Sequence, residues 1–473
     1  MSRGIFILAI LFFALPYLLL TAKLSTLGFP EWDEFEWAFQ NSLAQGFFST
    51  MLALLASVPL MQGLWLLPPR WKALASWFLL LPSLLPPLFV LLSFLSWVSP
   101  FPVGLIGVVV VQGFLNAGLV AVLLSRAFED KLQGLAEAAW VMGASRIQFM
   151  KRSFRLMAPE VVSVGIAVFS FCFANFSIPI VIGGGRATTI EILIYEKLRI
   201  SGDWGQALGL SLFQLSFMAL LLFLPRSGHQ PVEVTRAQGL RFLGNWWGVA
   251  ACLIYASIFW FPLAGNFPAS VRAVFSIEGL PGQVAELALP SFILAFGVGG
   301  LFLMLALIFS MGFPDNQVTR LSRGWLAPST VLLGFAFVTW GDWWPMLTYT
   351  LAMGILFFLP VFRLGLDRKL EGLVGQIATA RTMGASDFLI WKRILVPQIW
   401  SIACMLAGVA SLWAFGEFAL GKVLLSQNTS WALLSEALMS SYRIEAGLGV
   451  GFLILFCGGL LFAFFWRLGN VGR

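Results

Sequence analysis

The stretch "AAWVMGASRIQFMKR" at residues 138–152 returns, altered, as "TARTMGASDFLIWKR" at residues 379–393. Met-Gly-Ala-Ser stands in both, Lys-Arg follows at the same distance, and Gly143 and Gly384 lie 241 positions apart. The residues before the tetrapeptide, "LAEAAWVM" (135–142) and "QIATARTM" (376–383), are good helix formers. The residues after it, "RIQFMKRSF" and "DFLIWKRIL", are amphipathic. Gly143-Ala144-Ser145 and Gly384-Ala385-Ser386 have almost no side-chain volume, which permits a tight turn and close approach of another backbone. Each copy therefore reads as a short helix, a glycine turn and a second helix. One such element would pack under its own bundle as readily as it would dock elsewhere; two copies favour docking on a two-fold symmetric partner.

The surroundings of both copies are apolar. The chain of 473 residues is 59% hydrophobic and 11% charged, with a mean hydropathy of +0.89. Soluble domains run at roughly 45–50% apolar and about 25% charged. An ordinary soluble domain is excluded, and a polytopic membrane protein remains. The apolar runs are continuous and not alternating, so the expected class is an all-α polytopic membrane protein. About twelve segments are long enough to span, with cores near 4–22, 46–67, 73–98, 103–125, 161–183, 206–225, 246–265, 289–311, 326–341, 345–365, 399–424 and 446–466. "LLLPSLLPPLF" at 79–89 carries three prolines and should break or kink its helix. The run after Arg3 lacks a small-x-small cleavage site, so it is expected to stay as an uncleaved first helix.

Placing both termini in the cytoplasm puts 22 of the 29 Lys and Arg residues on the inner side. The outer side keeps the acidic cluster "EWDEFEW" (31–37). This asymmetry sets the orientation and makes the net charge of +7 a topology signal, not a nucleic-acid patch. Both Gly-Ala-Ser copies then fall inside, each between the fourth and fifth helices of a six-helix half. The halves are expected as parallel repeats, 1–225 and 246–473, joined by a linker at 226–245. Cys172, Cys252, Cys404 and Cys457 lie inside apolar runs without close spacing, as small buried hydrophobes do. The single histidine, His229, sits in a polar loop, so no histidine-based metal site or catalytic triad is available.

The repeated stretches resemble the cytoplasmic loop of type I ABC importer permeases (the MetI-like fold), whose pattern is Glu-Ala-Ala, three residues, then Gly and a small residue. Glu137-Ala138-Ala139 followed by Gly143-Ala144-Ser145 matches; Ala378-Thr379-Ala380 followed by Gly384-Ala385-Ser386 lacks the acid. The family's proline thirteen residues past the glycine is Pro397 in one copy and Leu156 in the other. The resemblance covers nearly the whole chain as two fused permease halves, with loops at about 126–160 and 366–398. It implies that Glu137, Ala138, Ala139, Gly143, Ala144, Ser145, Lys151 and Arg152, and Ala380, Arg381, Gly384, Ala385, Ser386, Lys392 and Arg393, seat two copies of a cytoplasmic ATPase subunit. It also implies a periplasmic solute-binding protein, a bacterial inner-membrane location, and a small polar or charged solute such as thiamine or iron(III). ATP and magnesium would be bound by the partner, and this chain would have no cofactor and no catalytic residues.

One phosphate-loop decoy occurs, Gly416-Glu417-Phe418-Ala419-Leu420-Gly421-Lys422-Val423. Val423 stands where a magnesium-binding hydroxyl is needed, and no strand is expected before it. Glu417 is nearly alone as a charge within a membrane helix, and such charges are costly and often functional. Its counterpart in the first half is near Asn175 and Phe176. The resemblance makes these fifth helices line the solute path, with Asn175, Ser177, Trp413 and Glu417 facing it. Glu417 equally suits a cap on a bent helix. An ion-coupled secondary transporter with two parallel halves is the competing reading, although it would want more titratable groups at the midplane.

Overall fold

The computed structural model describes residues 27–85, 87–95, 102–221, 239–312, 330–338, 344–362, 364–424 and 429–470, with a few positions between 11 and 20. The expected segment 4–22 and most of the linker 226–245 lie outside the described residues, apart from those few positions and a 3-10 turn at Gly239–Leu243. Every regular element described is a helix. The cause is the solvent: in hydrocarbon each backbone N–H and C=O must find its partner within the segment.

The helices are α1 (Trp32–Leu66), α2 (Pro69–Leu84), α3 (Pro87–Leu95), α4 (Leu105–Val141), α5 (Arg146–Phe173), α6 (Ser177–Ile182), α7 (Ile190–Arg199), α8 (Trp204–Leu221) and α9 (Trp246–Ser276). There follow α10 (Leu280–Gly312), α11 (Thr330–Val338), α12 (Pro345–Phe362), α13 (Leu366–Glu371), α14 (Val374–Thr382), α15 (Asp387–Phe415), α16 (Ala419–Leu424), α17 (Trp431–Ser440) and α18 (Ile444–Asn470). Among the described residues, nine helices are long and apolar enough to cross a membrane. Three of the expected segments prove to be interrupted. The proline-rich stretch breaks between α2 and α3, residues 161–183 break between α5 and α6, and residues 399–424 break between α15 and α16. The acidic cluster belongs to α1, with Glu31 as N-cap and Asp33 and Glu34 in the first turn. There the helix dipole favours negative charge.

The helices group into two compact units. One holds Glu31–Ile192 and Ser216–Asn266; the other holds the described residues up to Pro30, Leu193–Leu215 and the residues from Phe267 onward. The boundary passes through α7, α8 and α9, so neither unit is one continuous stretch of chain. In the first unit α1 lies along α4 and α5, and the N-terminal part of α9 joins them by close backbone approach. A side chain on Gly63 of α1 would collide with the carbonyl of Gly248, and small residues are what such helix crossings in membranes use. Tyr255 of α9 donates to the Phe114 carbonyl (2.9 Å) and stacks on the Phe114 ring at 4.3 Å. In the second unit α15 packs between α10 and α18, while Trp204 of α8 lies against Phe335 of α11 at 4.4 Å.

Candidate functional site: two exposed turns and two broken helices

The two Met-Gly-Ala-Ser copies fold alike. Gly143 and Gly384 are left-handed, with φ of +73° and +79°. Each carries the chain out of one helix: Ala144 N–H donates to the Ala139 carbonyl (2.9 Å), and Ala385 N–H to the Ala380 carbonyl (3.1 Å). This is the six-to-one bond of a glycine-terminated helix, and glycine enters left-handed backbone without steric cost. The next helix is started by the serine. Ser145 Oγ accepts from the Gln148 N–H (3.3 Å), and Ser386 Oγ accepts from the Leu389 N–H (3.4 Å). A serine N-cap satisfies one of the donors that a helix start leaves without a partner. The tetrapeptide is thus a stop signal and a start signal two residues apart.

Both turns project outward. A Cβ added at either glycine would meet no atom within 4 Å. Val141 and Met142 are 83% and 85% exposed, and Met383 is 81% exposed. Glu137, Ala138, Lys151 and Arg152 are exposed in the first copy, as are Arg381, Lys392 and Arg393 in the second; Ala139, Ala144, Ala380 and Ala385 are half-buried. Leu132, Ala136 and Phe149 anchor the first turn below, and Ile377 and Ile390 anchor the second. Trp391 ties the second copy to α10 by donating its indole N–H to Ser310 Oγ (3.0 Å) and the Leu307 carbonyl (3.2 Å). Arg381 and Asp387 bridge the second turn with an ion pair of 3.0 Å.

The broken helices are also built alike. Asn175 Oδ1 accepts from the Ile178 N–H (3.0 Å) at the start of α6, and Glu417 Oε1 accepts from the Leu420 N–H (3.1 Å) at the start of α16. Each side chain caps the short helix that resumes after the break. The carbonyl side is held from a neighbouring helix: Gln45 Nε2 donates to the Cys172 carbonyl (2.7 Å), and Tyr349 Oη donates to the Glu417 carbonyl (2.9 Å). Ser177 and Glu417 are buried, Asn175 and Trp413 half-buried, and Trp413 meets Phe357 edge-on at 5.7 Å. Asn175 and Ser177 belong to the first unit, Trp413 and Glu417 to the second.

The next elements repeat as well. Ser42 Oγ of α1 accepts from the Ile190 N–H at the start of α7 (2.9 Å), and Ser291 Oγ of α10 accepts from the Trp431 N–H at the start of α17 (2.9 Å). These serines, Gln45, Tyr349 and Arg199, which donates to the Val423 carbonyl at the end of α16, escaped the sequence reading. Polar residues isolated within apolar runs were the available signal. Lys422 of the phosphate-loop decoy is held by Glu436, which also accepts from Ser440 Oγ (2.8 Å). No group of residues suited to a metal ion occurs among the described residues.

Long apolar helices and short capped segments at their breaks define an all-α polytopic membrane protein carrying one exposed turn twice. Among characterised proteins, the chain is similar to thiamine transport system permease proteins. That of Brucella abortus (strain 2308) is 30% identical over 137 residues, 28% of this chain and 24% of the relative. That of Escherichia coli (strain K12) is 29% identical over 147 residues, 31% of this chain and 27% of the relative. That of Salmonella typhimurium (strain LT2) is 27% identical over 149 residues, with the same two shares. The similarity spans about a quarter of these relatives' length. No family model matches the chain, and no solved structure matches it.

Proposed function

We propose that the chain is the membrane permease of a binding-protein-dependent ABC importer, with thiamine or a similar cationic aromatic compound as its solute. The twice-built exposed turn carries this reading. A left-handed glycine flanked by exposed Val141 and Met142 in one copy, and by Met383 in the other, offers a small apolar knob on a firmly capped helix pair. Such a knob suits a cleft in a cytoplasmic ATPase subunit, and two knobs suit two copies of it. The similarity to thiamine permeases supports the same class and the choice of solute.

In this reading the protein sits in a bacterial inner membrane with both termini and both turns in the cytoplasm, as two parallel halves joined near 226–245. A solute-binding protein delivers from the opposite side. The partner subunits bind ATP and magnesium, and their closure moves the seated turns. The halves then exchange outward- and inward-open states, with the broken helices at Asn175–Ser177 and Trp413–Glu417 forming the path. A carboxylate beside aromatic rings suits a cationic ring, through charge and cation–π attraction.

The test is purification of the tagged protein from its host in mild detergent. An ATPase should co-elute and should be lost when Gly143→Trp and Gly384→Trp are combined, while the permease still elutes as a folded species. Absence of any ATPase from the folded wild type would overturn the importer reading and favour an ion-coupled transporter. Uptake of labelled thiamine, with Glu417→Gln as the path variant, tests the solute: unchanged uptake would remove Glu417 from the path.

A further inference from the structure

Three helices of the first unit, α1, α4 and α5, meet around side chains that a membrane core does not require. Gln45 and Ser49 on α1, Gln112 and Asn116 on α4 and Cys172 on α5 are all buried, Gln45 at 0%, Gln112 at 1% and Cys172 at 1% exposure. They are linked to one another. Ser49 Oγ donates to Gln112 Oε1 (3.1 Å), and Asn116 Nδ2 reaches the Gln112 carbonyl (2.9 Å) and Cys172 Sγ (3.5 Å). Gln45 Nε2 takes the Cys172 carbonyl at the break between α5 and α6. Two atoms of the cluster, Gln45 Oε1 and Gln112 Nε2, have no hydrogen-bond partner among the described residues. One is an acceptor and the other a donor, and burying either without a partner is costly.

The second unit makes the same three-helix contact with apolar side chains at the matching positions, its buried polar groups there being Ser411 against Gly299 and Tyr349 on the Glu417 carbonyl. Its register is fixed by two repeated contacts. Gly113 faces Leu52 as Gly354 faces Leu301, and Ser42 caps α7 as Ser291 caps α17. By these pairs α1 maps on α10 with an offset of 249, and the membrane part of α4 maps on α12 with an offset of 241. Gln45, Ser49, Gln112 and Asn116 then correspond to Leu294, Val298, Met353 and Phe357. Packing at these four positions is therefore achieved with apolar side chains, and the polar set that replaces them in the first unit answers a different need. A single group that satisfied both atoms would donate to Gln45 Oε1, accept from Gln112 Nε2 and be small enough for a helix interface. The amide N–H disfavours a cation there, and the amide oxygen disfavours an anion.

We propose that the first unit holds a bound water between Gln45 and Gln112, which ties the broken end of α5 to α4. Buried waters of this kind bridge polar groups that no side chain satisfies. Through Gln45 the water fixes the Cys172 carbonyl, and with it the point where the chain leaves α5 for the Asn175 cap.

The experiment is X-ray radiolytic labelling of the full-length protein in detergent, in ¹⁸O water, read by mass spectrometry. Cys404, 0% exposed in the second unit, serves as the reference thiol. Cys172 should label several-fold faster than Cys404, and should fall to the Cys404 rate in a Gln45→Leu, Gln112→Met variant that carries the second unit's residues. Cys172 labelling no faster than Cys404 in the wild type would overturn the proposal without recourse to any variant. So would labelling of Cys172 that survives in the folded double variant. Stabilisation of the wild type by sodium over choline, lost in the double variant, would overturn it in favour of a cation.

Discussion

The turn at Gly143 ends a helix of 37 residues that runs unbroken from Leu105, whereas the turn at Gly384 ends one of 9 residues. Between α12 and that second turn the chain stops near Gly365 and again at Gly372-Leu373. The first turn therefore sits on a rod, and the second sits on a jointed arm braced by the Arg381–Asp387 pair and the Trp391 anchor. Beyond the turn the difference reverses. From Ser145 to Asn175 the chain takes 30 positions and α5 is regular, but from Ser386 to Glu417 it takes 31, and α15 contains a π turn at Trp391–Leu395. A π turn is one residue inserted into an α-helix. It absorbs the additional residue, so that the serine cap below and the polar cap above keep the same relation in both copies. Two copies can thus preserve the ends that matter while diverging in what lies between.

The largest effect expected from this comparison is on deletions in α15. Deleting Ile394, inside the π turn, should convert it to regular helix and leave the protein eluting as a folded species. Deleting Ala403, beyond the turn, would swing Glu417 by about 100° around the helix axis and should abolish folding. Size-exclusion profiles that are equally good or equally bad would break the proposed register.

Next come the glycines taken singly. Gly143→Trp and Gly384→Trp each force a side chain into left-handed backbone at about 1–2 kcal/mol of strain. The rod has no joint through which to relax, so Gly143→Trp should reduce ATPase recruitment more than Gly384→Trp. Equal losses in co-purification would show that the joints are stiff.

Smaller still are the caps. Asn175→Ala and Glu417→Ala should each cost about 1 kcal/mol in denaturant unfolding, the usual value of an N-cap, and Glu417→Gln should cost less because the amide oxygen still accepts from Leu420. A neutral Glu417→Ala would mean that the carboxylate is not needed as a cap. The smallest effect belongs to the exposed Arg381–Asp387 pair. A double-mutant cycle should give about 0.5 kcal/mol or less, screened by salt. The first copy has Trp140 and Arg146 at these positions, a pair without a carboxylate.

Much of this is legible in the sequence. Continuous apolar runs dictated helices in lipid, prolines 82, 86 and 87 marked the break between α2 and α3, and Gly-Ala-Ser announced a turn. Less visible was that Ser145 and Ser386 act as caps. Nor could hydropathy show that the segments 161–183 and 399–424 are each interrupted, because the residues at the breaks are themselves largely apolar. Glu417 shows the limit well. Its charge flagged the position, yet only the structure shows that its carboxylate accepts a backbone N–H three residues ahead.

The division follows from range. The class of fold, the span of most helices and the site of both turns depend on local preferences and on transfer from water to lipid, which act along a few residues at a time. Which carbonyl Gln45 meets, which serine receives the first N–H of α7 and α17, and how α7, α8 and α9 are shared between the two units depend on residues tens to hundreds of positions apart. No periodicity records those pairings, since they are settled by side chains that find their hydrogen-bond partners only once the helices have packed.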